Sequence, residues 1–362
     1  MKRSETLMVA LLSLAAGGLA CWFLLPWNRG TESHGGSDQP TQAADQARPG
    51  EKTLTFEPFP EFGRMDYGSK EFDEVCYDRL LKWLEVRGRD AASLMAVRDI
   101  VGKKAIMQEA AEKFPNDPRV CMDMITREED RDLWIERLIS AEPDNPAGFL
   151  LKADALAKSG KAEEAIEAMR KAAALSGRLN WHLRERVSAV REAALAIGVP
   201  AWETAMLCLK TRLISGGPIL SKPYGLLRKG LKAAKDSDNR PRMIRLAELW
   251  ATLGDQLFQS DMSSIGDQLI GNFAQIAGLS ELDAGSKWKG TNQTVGQRLA
   301  EVKQQKLDLS EHMATVKGRT VDILKASGPQ LLEYEDRILR DGEMAAEIWY
   351  REIIAAQPKA AE

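Results

Sequence analysis

The sequence predicts an all-α protein carried on one membrane-spanning helix, and three observations lead there. Apolar residues recur every three or four positions through nearly all of the chain after residue 66, which is the period of a helix with one buried face. These periodic stretches are cut at short intervals by Gly, Pro, Asn and Asp, the residues that end helices and make turns. Before them stands an uncharged apolar run, residues 7–27. With 362 residues, 44% hydrophobic and 28% charged, the chain has a globular balance and room for two ordinary domains. The organisation expected is an anchor at 7–27, a flexible linker at 28–60, a helical-repeat domain at 66–178 and a C-terminal α-helical domain at 179–362.

The run from Leu7 to Trp27 has the length of ~20 residues that a helix needs to cross the hydrocarbon core. Lys2 and Arg3 precede it and only Arg29 closely follows. The positive-inside bias therefore puts the N-terminus in the cytoplasm and the bulk of the chain outside the cell membrane, in a single pass. Cleavage after Gly18-Leu19-Ala20, or lipidation of Cys21, ranks behind an uncleaved anchor, because Trp22-Phe23-Leu24-Leu25 prolongs the apolar run past both. Within the linker, Asn28 to about Thr53 is rich in Gly, Pro, Ser, Gln and Ala. As a random coil it holds the folded part roughly 25–30 Å from the bilayer.

The folded part reads as helices in succession. Phe72, Val75, Cys76, Leu80, Trp83 and Leu84 share a face that stops at Gly88, and Asp90 caps the next stretch. Leu94, Val97, Val101, Ala105, Met107 and Ala110 continue, with an interruption at Gly102. Phe114-Pro-Asn-Asp-Pro and Glu142-Pro-Asp-Asn-Pro bracket a shortened unit, in which Leu133, Trp134, Leu138 and Ile139 mark a second helix and Asp130 and Asp144 serve as caps. Further helices follow around 183–197, 202–214, 224–234, 243–258 and 265–276, positioned to continue a superhelix, with Gly266 and Gly271 each weakening the last by ~1 kcal/mol relative to Ala. Residues 280–294 read as a loop. Then Val295, Leu299, Val302, Lys306, Leu309, Met313, Val316, Thr320 and Ile323 recur at spacings of four and three. That heptad stripe over 295–323 suits a long bracing helix. A parallel coiled-coil homodimer is its sharper alternative.

The best-defined unit is Asn145 to Ser176. Phe149, Leu150, Ala153, Leu156 and Ala157 line one helix, Ser159-Gly160 breaks it, and Ala165, Ile166, Met169, Ala172 and Ala173 line a second. This helical hairpin, 145–176, resembles a tetratricopeptide repeat. The aromatic Phe149, small Ala153, large Leu156, turn Gly160 and the alternation of Ala165, Met169 and Ala172 fall in that register, while Lys152 stands for an apolar residue and Gly177 for the closing proline. Residues 331–358 resemble a second, looser repeat. The resemblance implies a protein-binding scaffold whose first helices line a concave groove. On this chain the groove residues are Leu150, Asp154, Ala157 and Lys158.

Motifs for chemistry are missing from the sequence. Ser159-Gly160-Lys161 lacks the upstream Gly and the following Ser or Thr of a phosphate loop, since Ala155 and Ala162 occupy those places. The histidines, at 34, 182 and 312, have no ligand-spaced partners, and the cysteines at 21, 76, 121 and 208 form no C-x-x-C. No metal or cofactor is expected, and free buried thiols are expected over a disulfide. A net charge of −3 with no long run of like charges argues against nucleic acid. Asn292-Gln-Thr294 is a formal glycosylation acceptor. The reading is an extracytoplasmic scaffold for a protein partner of unknown identity, not an enzyme. Its alternatives are a structural protein that self-assembles through the heptad helix and an enzyme whose site is assembled from distant residues.

Overall fold

The computed structural model describes residues 56, 70–126, 130–212, 217–260, 264–289, 291–316 and 327–356, and every regular element within them is an α-helix. The expected anchor, its cleavage alternatives and all of the linker except Phe56 lie outside the described residues. Among the described residues no helix is long and apolar enough to cross a membrane. Phe56 already belongs to the fold: it packs on the core, with the Arg79 guanidinium 5.6 Å from its ring centre.

In chain order the helices are α1 (Lys70–Arg87), α2 (Ala91–Val101), α3 (Lys104–Lys113), α4 (Pro118–Ile125) and α5 (Arg131–Ala141). Then come α6 (Pro146–Lys158), α7 (Ala162–Ala174), α8 (Leu183–Ala196), α9 (Ala201–Arg212) and α10 (Gly217–Asp236). The last are α11 (Arg240–Phe258), α12 (Ile265–Leu279), α13 (Val295–Val316), α14 (Gly328–Asp341) and α15 (Glu343–Ala356). Local chemistry sets most boundaries. Asp90 accepts a hydrogen bond from the Ser93 amide at 2.7 Å and opens α2, and Gly102, at φ 66°, closes it in the left-handed conformation that glycine adopts without strain. Asp117 caps α4, whose first residue is Pro118. Two expected caps differ. Asp130 makes no side-chain cap, and Asn145 rather than Asp144 caps α6, because its Oδ1 reaches the Ala147 amide at 3.1 Å. Within α5 the buried residues are Trp134, Ile135 and Leu138, whereas Leu133 is 49% exposed, so the inward face is turned one residue from the expected one.

Adjacent helices pack as hairpins, α4 on α5, α6 on α7, α8 on α9, α11 on α12 and α14 on α15, giving an all-helical, repeat-like architecture. They do not stack in simple succession. The main neighbours of α8 are α9 and the early helix α2, while α10 returns to cover α6 and α7, and α14 docks on α9. The reversal is built into residues 175–182. A Cβ at Gly177 would collide with the Asp144 carbonyl, so only glycine lets the two turns touch there. Asn145 then holds the segment from both sides, donating to the Asn180 carbonyl at 2.9 Å and accepting from its amide at 3.2 Å. One contiguous apolar core results, running from Phe72 on α1 to Leu257 on α11, across residue 178.

Helices α11 and α12 approach closely along a glycine seam. Gly254, Gly271 and Gly278 face backbone across this seam: a Cβ at Gly254 would lie 2.6 Å from the Gly271 carbonyl oxygen, and one at Gly271 would lie 2.7 Å from that of Gly254. The helix-weakening effect expected of Gly271 is therefore offset by a packing geometry that no larger residue permits. On α13 the stripe residues Val295, Val302 and Leu309 are buried in the chain's own core, with Leu299 half-buried beside them. The rest of the stripe, from Met313 to Ile323, lies outside the residues whose side chains are described.

Candidate interaction surface

The groove expected on α6 is largely closed. Leu150 is 2% exposed, Asp154 is also buried, Ala157 is half-buried and only Lys158 stands in solvent. Packing of α6 against α5, α7 and α10 produces this. Buried carboxylates need compensation. Asp154 Oδ2 has it, from Arg131 Nη2 at 2.7 Å on α5 and from Lys158 Nζ at 2.8 Å one turn along α6. Asp154 and Lys158 thus form an intrahelical pair that a cation from another helix reinforces.

A second buried charge cluster joins α2, α4 and α8. Arg186 is 5% exposed and bonds Asp99 through Nε (3.1 Å) and Nη2 (2.8 Å), while Arg98 bridges Asp99 at 2.7 Å and Asp123 at 2.8 Å. Among the described residues two guanidiniums face two carboxylates here. Burial opposes the Arg186 charge, but Asp99 and Asp123 raise its pKa above the ordinary arginine value. A third junction fixes His182, whose Nε2 is 2.9 Å from Glu142 Oε2, itself hydrogen-bonded by Asn145 Nδ2 at 2.8 Å. The first cluster ties the consecutive helices α5 and α6, and the other two tie segments 40 to 87 residues apart, which gives each a structural role.

The thiols match the expectation of free cysteines. Cys76, Cys121 and Cys208 are buried and unpaired by disulfides. Burial pushes the Cys76 thiol up to about 12 and that of Cys121 to about 11, so neither carries thiolate at neutral pH. Among the described residues no group of three His, Cys, Asp or Glu is placed to hold a metal ion.

The outward surface is more informative than the interior. Along α10, Pro223, Leu227, Leu231 and Ala234 are buried, while Lys222, Arg228, Lys229, Lys232 and Lys235 are exposed. The spacing sets the cations on the face opposite the core. Just beyond, Arg240 and Arg245 on α11 are exposed as well. Lys235 pairs with Glu281 at 2.7 Å. Sequence reading by charge runs misses this face because apolar residues interrupt the cations; counting them at helical spacing finds it. Elsewhere Leu133, Leu195, Leu307 and Ile348 are large apolar residues between 42% and 55% exposed, and Asn292 is exposed in its loop.

No family model matches the chain, and neither a curated protein nor a solved structure is detectably similar to it.

Proposed function

We propose that this protein is a membrane-anchored, extracytoplasmic scaffold that binds other proteins through its helical hairpins. The observation that carries the reading is the α6–α7 hairpin. Its inward residues, Ala165, Met169 and Ala172 on one helix and Ala153 on the other, occupy the tetratricopeptide register and are all fully buried. Residues 7–27 supply the anchor in this reading, the N-terminus is cytoplasmic, and the partner is a protein. The contact surface lies away from the filled α6 groove, at exposed apolar positions such as Leu133 and Leu195.

Photo-cross-linkers placed at 133 and at 195 in intact membranes test the proposal. A common partner captured from both positions supports it. Cross-links to other copies of the chain alone would turn the reading to self-assembly, and carbonate extraction of the protein would remove the anchor. Self-assembly through 295–323 is the weaker reading, because Val295, Val302 and Leu309 already face the chain's own core.

A further inference from the structure

We infer that the basic face of α10 and the start of α11 docks on the surface of an anionic phospholipid bilayer, so that the anchored protein lies against its own membrane instead of hanging free on its linker. The inference rests on the anchored reading above and adds an orientation to it.

Charge and position both point this way. The whole chain carries a net charge of −3, yet between residues 222 and 245 the only acidic residues are Asp236 and Asp238. Of the cations there, Lys235 and Arg242 are paired, with Glu281 and Glu163. Lys222, Arg228, Lys229, Lys232, Arg240 and Arg245 are exposed and make no ion pair among the described residues. Elsewhere on the described surface unpaired cations such as Lys104 and Lys303 stand apart from one another, and others meet carboxylates, as Lys70 and Arg170 do. A cluster left without counter-charges creates a local positive potential that a dispersed anionic surface neutralises without shape-specific contacts. The apolar side of α10 is occupied by the core, so the helix does not insert into lipid, and its attraction is electrostatic. Each Lys or Arg near an anionic bilayer strengthens adsorption about fivefold. In the anchored reading the chain itself ties this face to the bilayer, which raises their effective concentration for each other. An acidic polypeptide would satisfy the same cations, but in the anchored reading the bilayer is the anionic surface to which the chain is tied.

The test uses the full-length protein reconstituted in phosphatidylcholine vesicles, with and without phosphatidylglycerol. Reductive methylation of individual lysines is read by mass spectrometry. Lys222, Lys229 and Lys232 are expected to react about fivefold more slowly on the anionic vesicles and to recover in high salt, while Lys104 and Lys303, exposed on α3 and α13, react equally on both. The double variant Lys229→Glu, Lys232→Glu, with an unchanged circular dichroism spectrum, is expected to lose the protection of Lys222. Equal reactivity on the two vesicle types overturns the inference. Protection by soluble polyglutamate on phosphatidylcholine, with none from phosphatidylglycerol, overturns it in favour of an acidic polypeptide. Carbonate extraction reads the anchor separately. Retention without lysine protection refutes this face alone, and release with protection by added anionic vesicles refutes the anchor alone.

Discussion

The α11–α12 seam makes a sharp quantitative demand. In Gly254→Ala the new methyl would sit 2.6 Å from the Gly271 oxygen, 2.7 Å from the Gln275 nitrogen and 2.8 Å from the Ala274 Cβ, where ordinary contact begins at 3.4 Å. Two of these atoms are backbone, so no rotamer change relieves the clash and the helices must separate along the most extensive interface in the fold. Such overpacking costs ~1–3 kcal/mol, and with three atoms struck the upper end applies. Alanine returns ~1 kcal/mol of helix propensity, leaving a net loss of about 2 kcal/mol. Gly225→Ala in α10 is the control, because no atom lies within 4 Å of a Cβ there. It keeps the propensity gain and meets nothing, so it should stabilise by up to ~1 kcal/mol. Urea denaturation of the full-length protein in detergent, followed by circular dichroism, compares the two. If Gly254→Ala is as stable as the parent, or gains stability as Gly225→Ala does, the helices are not held at this distance and the account of the seam is wrong.

Three other perturbations probe separate parts of the fold. Ala165 is fully buried between α7 and its neighbours, so Ala165→Leu should lower stability by ~1–3 kcal/mol; an unchanged denaturation midpoint would place this face in solvent and break the repeat register. Arg186→Met takes from Asp99 and Asp123 one of the guanidiniums that face them, and losing one member of a buried charge cluster costs about 3–5 kcal/mol; a loss below about 1 kcal/mol would show that the cluster does not join α2 to α8. Hydrogen bonds from Arg89, and then from Lys113, hold the Glu109 carboxyl down from 4.5 to about 2 in the fold. A depressed carboxyl stabilises above its unfolded value and loses that contribution as pH falls from 4.5 to about 2. For so partly exposed a pair it amounts to ~1 kcal/mol. Glu109→Gln should therefore be less stable than the parent at neutral pH and indistinguishable from it at the acid end of that window; a difference that persists there would assign the effect to packing.

Local order was readable from the sequence because it is decided locally. The apolar stripe of α1, Phe72, Cys76, Leu80 and Leu84, recurs at four-residue spacing and is buried as expected. Asp90, Gly102 and Pro118 mark helix ends through their own backbone and side-chain chemistry. Long-range pairing was not readable. Nothing in the periodicity of α8 says that it will meet α2, because the choice depends on Arg186 finding Asp99 and Asp123, 87 and 63 residues away. Gly271 reads in isolation as a weak point in a helix. Only the presence of Gly254 opposite gives it a purpose. The exposed cations of α10 escaped notice for a related reason: a sequence displays neighbours along the chain, whereas the surface gathers residues one turn apart.

The α6 groove shows how far a correct hairpin can mislead about a site. An open array exposes the first helix of each hairpin because the next hairpin stacks beside it and leaves the concave side free. Here residues 175–182 turn the chain away after α7, and α10 comes back onto both helices. The hairpin register survives this rearrangement, since it concerns only the α6–α7 contact. Groove exposure does not, since it depends on which later helices return to cover the hairpin. Asp154 registers the difference in chemical terms: on an open face it would need no partner beyond Lys158, yet buried here it takes Arg131 as a second cation. Reversing the charges at 154 and 158 would consequently leave Arg131 facing a lysine in the interior. That double variant reports on the stability of the α5–α6 junction before it reports on any partner, so binding is better probed at surfaces the fold leaves open.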